Sequence, residues 1–217
     1  AFAALDGDDA VRAVVLRGQG RSFSYGLDLP AMLGQIAGGD SGDNLAAART
    51  RLLDLILAMQ RAVSQAQACR KPVIAAVSGY CIGGGLDLIA ACDVRLCSAD
   101  ARFSLREARL AIVADIGSLQ RLPHIIGEGH TRELAFTGKD IDAERALRIG
   151  LVNEVYATPE ELFAAARGMA DEIAANPPLA VQGAKRVLNE SQGRPIDDGL
   201  RYVALWNAAF LRSLILF

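Results

Sequence analysis

The sequence predicts an α/β protein in which helices cover a parallel β-sheet, followed by a helical C-terminal region. Before about residue 138, short apolar segments rich in β-branched residues alternate with longer segments whose apolar residues recur every three or four positions. The connections between these segments are short, which favours parallel strands joined by right-handed crossovers. After residue 138 the pattern is helical.

The first predicted strand lies within residues 10–17 and ends at a Gly-Gln-Gly turn. The next segment, 21–29, is interrupted by Gly26, where the backbone is expected to leave the sheet. Residues 30–43 are poor in β-branched and aromatic residues and contain GGDSGD, so a surface loop is predicted there. One long amphipathic helix follows over 44–70 and ends before a proline, because the residue before proline disfavours helix.

The middle of the chain carries the strongest local pattern, KPVIAAVSGYCIGGGLD over 71–87. Its apolar segment Val73–Val77 has the composition of a buried strand, and three consecutive glycines precede a predicted helix over 86–91. A strand that passes through a glycine turn into a helix leaves backbone N–H groups without partners at the positive end of the helix dipole. The pattern therefore indicates either a place that holds negative charge or only a tight turn.

Two further strands are predicted over 94–97 and 102–105. The remaining predicted elements are helices over 127–137, 142–149, 158–175, 178–191 and 195–213. Thr158 and Glu161 have the spacing of a capping box, and Pro159 fits the first helical turn. The predicted organisation is a mixed α/β core over 1–137 and a helical region over 138–217, which is expected to contact a partner subunit and to cover the active site.

Composition limits the classes of partner. The 23 basic and 25 acidic residues give a formal net charge of −2, which provides no general attraction for nucleic acid or an anionic membrane. The apolar runs are too short or too interrupted by charge to span a membrane, and no stretch has the layout of a signal peptide, so the expected location is the cytoplasm. The 4 cysteines lack CxxC spacing and there are only 2 histidines, so buried reduced thiols and no metal site are predicted.

Three acidic residues are candidates for proton transfer: Asp87, Glu107 and Asp115. Each also has a structural explanation. Asp87 could complement the dipole of its own helix, Glu107 could be a solvated loop acid, and Asp115 could cap a helix that starts near Ile116. The surroundings of Asp87 and Asp115 favour the chemical explanation, because both lie in apolar sequence where an ionised carboxylate is costly. Carboxyl groups in such surroundings can exchange protons near neutral pH.

Three longer runs resemble the enoyl-CoA hydratase/isomerase (crotonase) superfamily: RSFSYGLDL (21–29), KPVIAAVSGYCIGGGLDLIAACDVRLCSADARFSLREARLAI (71–112) and LQRLPHIIG…ELAFTGKDIDAERALRIGLVNEV (119–155). They follow the order and spacing of the family over nearly the whole chain. The resemblance implies a spiral of ββα units with a helical C-terminal trimerisation region, and hence a homotrimer or a hexamer built as a dimer of trimers. Because members usually begin with another strand and helix before Ala1, and because LRSLILF is an abrupt end, the chain is expected to be a piece of a longer protein.

The resemblance also implies an acyl-CoA thioester substrate in fatty acid metabolism, with no cofactor beyond the CoA of the substrate itself. The backbone N–H groups of Leu27 and Gly84 would form an oxyanion hole for the thioester carbonyl. The backbone of Leu27, Asp28 and Leu29 would contact the CoA adenine. Arg21 is a candidate partner of a CoA phosphate, although a solvated surface arginine explains it equally well.

The acids distinguish the subfamilies. Hydratases of this superfamily usually have glutamates at the positions of Asp87 and Glu107 and a small or apolar residue at the position of Asp115. The set found here is similar to the Δ3,5-Δ2,4-dienoyl-CoA isomerases, which implies that Glu107 takes a proton from C2, Asp115 delivers one at C6 and Asp87 orders the site. Two alternatives stay open: an enoyl-CoA hydratase that adds water to a 2-trans-enoyl-CoA, and a non-catalytic acyl-CoA- or RNA-binding protein of the same fold.

Overall fold

The computed structural model describes residues 1–28 and 45–210, in which two small β-sheets are covered by helices. The helices are α1 (Phe2–Gly7), α2 (Leu45–Ala68), α3 (Gly84–Ala90), α4 (Ser118–Thr137), α5 (Ala143–Arg148), α6 (Pro159–Ala175), α7 (Pro178–Ser191) and α8 (Ile196–Phe210). The strands are β1 (Val14–Arg17), β2 (Val73–Val77), β3 (Tyr80–Ile82), β4 (Val94–Ser98), β5 (Arg102–Ser104), β6 (Ile141–Asp142) and β7 (Glu154–Tyr156). None of these helices is long and apolar enough to cross a membrane.

The larger sheet has four strands in the order β1-β2-β4-β7, all parallel, which confirms the predicted arrangement. All five residues of β2 are buried, because the strand has a neighbour on each side and both of its faces are covered. Its alternate side chains point to opposite faces. Ile74 and Ala76 pack against Leu162 and Ala166 of α6, while the other three join the larger core cluster.

The smaller sheet has the order β3-β5-β6, and the glycine turn directly follows its strand β3. The extended segment around Ser24 runs beside β3. Ser24 N donates to Tyr80 O at 2.8 Å, and Ile82 N donates to Ser24 O at 3.1 Å. This pairing brings Gly26 next to the turn that follows β3. The sequence did not predict β3, because three residues are too few to show an alternating pattern.

The structure differs from the sequence predictions in three other respects. The helix predicted over 127–137 begins earlier, at Ser118, and bends at Gly127, whose φ is 79°. The helix α1 was not predicted. The region 138–217 also contains two strands, and β7 pairs with β4 in the larger sheet, so it is not wholly helical. The division into two domains and the role of the second in self-association stay predictions. The predicted loop over 30–43, Leu29 and the last seven residues lie outside the described residues.

A buried lysine joins α7 to the centre of the fold. Lys185 is 7% exposed, and its Nζ donates to Asp93 Oδ2 at 2.6 Å and to the carbonyl oxygens of Ala66 and Lys71 at 3.1 Å. Asp93 Oδ2 also accepts from Val73 N at 2.7 Å. The ammonium group therefore ties the end of α2, the start of β2 and the turn after α3 to one helix.

The 4 cysteines are buried and unpaired, as their spacing predicts. Burial raises the pKa of Cys92 and of Cys97 to about 12. It also raises the pKa of Cys69 and of Cys81. These thiols therefore remain protonated near neutral pH and have a structural place in the core.

Candidate active site

Two backbone segments meet at the glycine turn between β3 and α3. Gly26 has a φ of 98°, which favours glycine, and its conformation turns the chain so that Leu27 lies beside Gly84. A methyl group added to Gly84 would lie 3.3 Å from the Leu27 side chain and 3.8 Å from Leu27 N, and one added to Gly26 would lie 3.8 Å from Gly84 N. Neither the Leu27 nor the Gly84 N–H donates to another group of the described residues. Two backbone donors are therefore available side by side.

Glu107 lies against Gly83, the residue before the donor Gly84. It is the first residue of the 3-10 turn Glu107–Leu110 after β5, and a methyl group on Gly83 would lie 3.1 Å from Glu107 Oε1. Within the described chain, no donor reaches the buried Glu107 Oε2. Burial raises the pKa of Glu107, and the charges of Asp87 and Asp115 raise it further. A carboxylate with a raised pKa is a stronger base than an exposed glutamate.

Asp87 lies in the first turn of α3 and is 1% exposed. Its Oδ1 accepts a hydrogen bond from Ser118 N at 2.6 Å, and its Oδ2 has no donor among the residues that the structure describes. Burial raises the pKa of Asp87, the hydrogen bond from Ser118 N opposes this, and the charge of Asp115 adds to the rise. Asp87 therefore caps the start of α4 from outside that helix, in addition to its place in the first turn of its own.

Asp115 lies in the loop that leads into α4 and is half-buried. Its charge acts on both Asp87 and Glu107, so the three carboxyl groups share one electrostatic environment. The N-cap of α4 is Gly117, so the sequence alternative that Asp115 caps this helix is wrong. The expected apolar burial before it is also wrong: Ile112 is 45% and Val113 74% exposed. These side chains leave Asp115 in a more open place than Asp87.

The predicted CoA contacts lie on the segment that precedes the pair of donors. Arg21 and Asp28 are exposed, as a site for a large polar ligand requires. Both belong to the same extended stretch, which Ser24 attaches to β3. Leu29 is outside the described residues, so three of the four predicted contacts can be placed, with Leu27 at the turn itself.

The described residues contain no group of His, Cys, Asp and Glu side chains that is arranged to hold a metal ion. The carboxyl groups of Asp87, Glu107 and Asp115 thus influence one another without converging on one point. Backbone donors beside a partly buried carboxylate can bind a carbonyl oxygen and move a proton at the neighbouring carbon. Further acids at a distance allow proton transfer at a second carbon.

Sequence reasoning missed the polar residues that hold this site in place. Ser118 contributes a backbone N–H, which no side-chain pattern reveals. Gln60 Nε2 donates to Asp115 O at 2.6 Å, and Arg121 is held by two polar side chains of the same helix, Ser64 and Gln67. The available signal was the spacing of Gln60, Ser64 and Gln67, which places three polar residues on one side of an amphipathic helix.

Comparisons with known proteins agree with this architecture. The family model described as enoyl-CoA hydratase/isomerase matches residues 1–201. The chain is 47% identical to the mitochondrial Δ(3,5)-Δ(2,4)-dienoyl-CoA isomerase of Dictyostelium discoideum, over 96% of this chain and 71% of that protein. It is 43% identical to the peroxisomal Δ(3,5)-Δ(2,4)-dienoyl-CoA isomerase of Arabidopsis thaliana, over 98% of this chain and 77% of that protein.

A solved structure shows the same fold. The crystal structure of enoyl-CoA hydratase from Bacillus anthracis superposes with a TM-score of 0.86 at 30% identity, over 97% of this chain and 77% of that one. The family model, the sequence relatives and the fold all agree with the family that the sequence motifs predict. The chain belongs to the enoyl-CoA hydratase/isomerase family.

Proposed function

We propose that this protein isomerises a 3,5-dienoyl-CoA to a 2,4-dienoyl-CoA. The observation that carries the proposal is the presence of a third carboxyl group, Asp115, whose charge acts on Asp87 and on Glu107, the acid beside Gly83. The two relatives at 47% and 43% identity, both named for this reaction, support it.

The backbone N–H groups of Leu27 and Gly84 hold the thioester oxygen. Loss of a proton from C2 places negative charge on this oxygen, and the two donors stabilise that charge without having to reorganise. Removal of one such donor typically costs about 3–4 kcal/mol of transition-state stabilisation. The lack of any competing acceptor for these two N–H groups among the described residues supports this role.

Glu107 removes the proton from C2, and the electron pair of that C–H bond spreads through C3, C4, C5 and C6 as an extended enolate. Asp115 then donates a proton to C6, so that the thioester carbonyl re-forms and the double bonds move from C3 and C5 to C2 and C4. One proton leaves the substrate and one returns, with no change of oxidation state. Asp87 orders the site through Ser118 N.

Arg21, Leu27, Asp28 and Leu29 are the proposed contacts of the CoA portion. Assembly as a homotrimer or as a hexamer follows from the family resemblance and is tested by the mass in solution. The cytoplasmic location also stays a prediction, since the names of the two relatives place those proteins in the mitochondrion and the peroxisome.

The proposal is tested by mixing the purified protein with 3,5-octadienoyl-CoA and following the ultraviolet band of the conjugated 2,4-dienoyl product. The parent should produce this band. Asp115→Asn should lower kcat by about 10²–10⁴-fold with little change in KM, because it removes a general acid and leaves the thioester contacts in place. Asp171→Asn, an exposed change on α6, is the matched control.

The alternative activity, hydration of a 2-trans-enoyl-CoA, is assayed on the same preparations. The structural similarity to a solved enoyl-CoA hydratase is the reason for testing hydration. The burial of Asp87 and its bond to Ser118 N argue for an ordering role in place of water activation. A parent that hydrates the enoyl-CoA and forms no 2,4-dienoyl-CoA would refute the proposed isomerase.

A further inference from the structure

One face of α2 carries three polar side chains that point toward the loop that contains Asp115 and the start of α4. Gln60, Ser64 and Gln67 are spaced by four and three residues, which places them on the same side of the helix. All three are partly buried. Exposed polar groups can bond to water, whereas buried polar groups are mostly hydrogen-bonded within the protein. Each of the three side chains is hydrogen-bonded to the segment 115–121, which contains Asp115 and the start of α4.

This segment is held at both ends. At its first residue, Gln60 Nε2 donates to Asp115 O at 2.6 Å. At its last, Arg121 donates from Nη2 to Ser64 Oγ at 2.9 Å and from Nε to Gln67 Oε1 at 3.0 Å. The guanidinium group lies directly over Gly117, where a methyl group would collide with Nη1. A side chain at position 117 would be strained by the φ of 130° and would require the Arg121 guanidinium group to move.

Two groups that the proposed reaction uses lie between the anchors. One is the Asp115 carboxyl group, and the other is the Ser118 N–H that binds Asp87 Oδ1. We propose that the polar face of α2 is a positioning device: Gln60 sets the place of Asp115, while Arg121, held by Ser64 and Gln67, sets the place of Ser118 and through it Asp87. This inference rests on the proposed function, because it assigns a purpose to the position of its proton donor.

The charge of Arg121 adds a second effect. The guanidinium group favours the ionised form of Asp87, and so it opposes the rise that burial causes in the pKa of that carboxyl group. Burial in turn lowers the pKa of Arg121, which shows that the guanidinium group is partly withdrawn from water. Arg121 therefore acts on Asp87 both through the backbone of α4 and through its field.

The test separates proton removal at C2 from proton delivery at C6. The enzyme is incubated with a 3,5-dienoyl-CoA in D2O. Mass spectrometry measures the deuterium incorporated into the recovered substrate, and absorbance measures the amount of 2,4-dienoyl-CoA product. The readout is the ratio of the first amount to the second. Gln60→Met removes the donor and keeps the length of the side chain. We expect it to raise this ratio about 10–100-fold, because a small displacement of Asp115 slows delivery at C6 while Glu107 still exchanges C2.

Gln65→Met is the matched control, because Gln65 is exposed on the same helix. It should leave the ratio unchanged, and Gln60→Lys, which restores a donor, should return the ratio toward that of the parent. General loosening of the fold lowers exchange and product together and leaves the ratio alone. A folded Gln60→Met enzyme with the ratio of the parent would overturn the inference. Gln60→Asn replaces it if the first variant does not fold.

Arg121→Met should lower kcat about 10–100-fold with little change in KM, because the start of α4 loses its bonds to Ser64 and Gln67 and the Ser118 N–H is no longer fixed against Asp87. Arg121→Lys keeps a donor and should restore part of the rate. A folded Arg121→Met enzyme with the kcat of the parent would overturn the role of Arg121. If the parent forms no 2,4-dienoyl-CoA and hydrates a 2-enoyl-CoA, the proposed function fails, and the same comparison is then made on hydration. The two failures are therefore distinguishable.

Discussion

Replacement of Lys185 by methionine should destabilise the protein more than any single exposed substitution. The change removes the ammonium group and keeps an unbranched side chain that fills most of the same volume. It leaves Asp93 with only the Val73 N–H as a described partner and leaves the carbonyl oxygens of Ala66 and Lys71 without their donor. The Lys185 side chain is 6% exposed and that of Asp93 27%, so water replaces these bonds poorly.

The magnitude follows from this burial. Removal of one partner of a buried ion pair costs about 3–5 kcal/mol, which is a large part of the roughly 5–15 kcal/mol that stabilises a typical native protein. For a chain of this size, 1 kcal/mol moves the Tm by about 2–4 °C. Lys185→Met should therefore lower the Tm by about 6–20 °C.

The assay is thermal unfolding at one protein concentration, because self-association makes the Tm depend on concentration. Lys139→Met is the matched control, since Lys139 pairs with Glu133 at the surface and its side chain is 43% exposed. Such a pair is worth about 1 kcal/mol or less. In an Asp93→Asn background the cost of Lys185→Met should shrink, because the two groups interact. Equal decreases for Lys185→Met and Lys139→Met would refute the reasoning.

Three further predictions concern the site and the core. Because burial raises the pKa of Glu107 and of Asp87, the folded state holds the protons of these two carboxyl groups more tightly than the unfolded chain does. This contribution to stability is complete below the ordinary carboxyl pKa and is lost as the pH rises through the pKa of the folded state. Glu107→Gln should thus have a Tm advantage over the parent that grows between pH 4.5 and 8, and a constant difference would contradict this. None of the 4 cysteine thiols should react with a disulfide reagent at pH 8 in the native state, whereas all 4 should react after denaturation. Reaction of the native protein would show that the thiols are accessible. Gly26→Ala should lower both Tm and kcat, by about 1–2 kcal/mol in stability, since its φ is 98° and its added methyl group would lie 3.2 Å from a backbone oxygen of β3; an unchanged Tm and rate would show that the turn tolerates a side chain.

The elements that sequence reasoning located best are those with long or self-contained patterns. The bounds of β2 and α7 agree with the structure, because one is an apolar run of branched residues and the other begins at a proline. The capping of α6 is also as expected, with Thr158 Oγ1 accepting from Glu161 N at 3.2 Å. The strands β3, β6 and β7 have two or three residues, and their conformation depends on the strands beside them.

The candidate site shows the same limit. Asp87, Glu107 and Asp115 could be chosen from the sequence because carboxyl groups in apolar or glycine-rich stretches are unusual. Their mutual influence, and the contact of Glu107 with Gly83, depend on how β5 and α3 are placed. The exposure of Val113 was not foreseen because a short apolar run gives no information on whether another element covers it.

The manner in which the acids are held explains why distant residues matter. The apolar residues 110–113 before Asp115 are exposed, so the hydrophobic contacts of this stretch contribute little to the position of Asp115. A few directional bonds therefore set that position, and some of them come from a helix 55 residues earlier in the chain. Because a single hydrogen bond contributes about 0.5–1.5 kcal/mol, one lost bond should leave the fold intact and still displace a proton donor. Substitutions of Gln60, Ser64 and Gln67 on α2 should accordingly change catalysis more than they change stability.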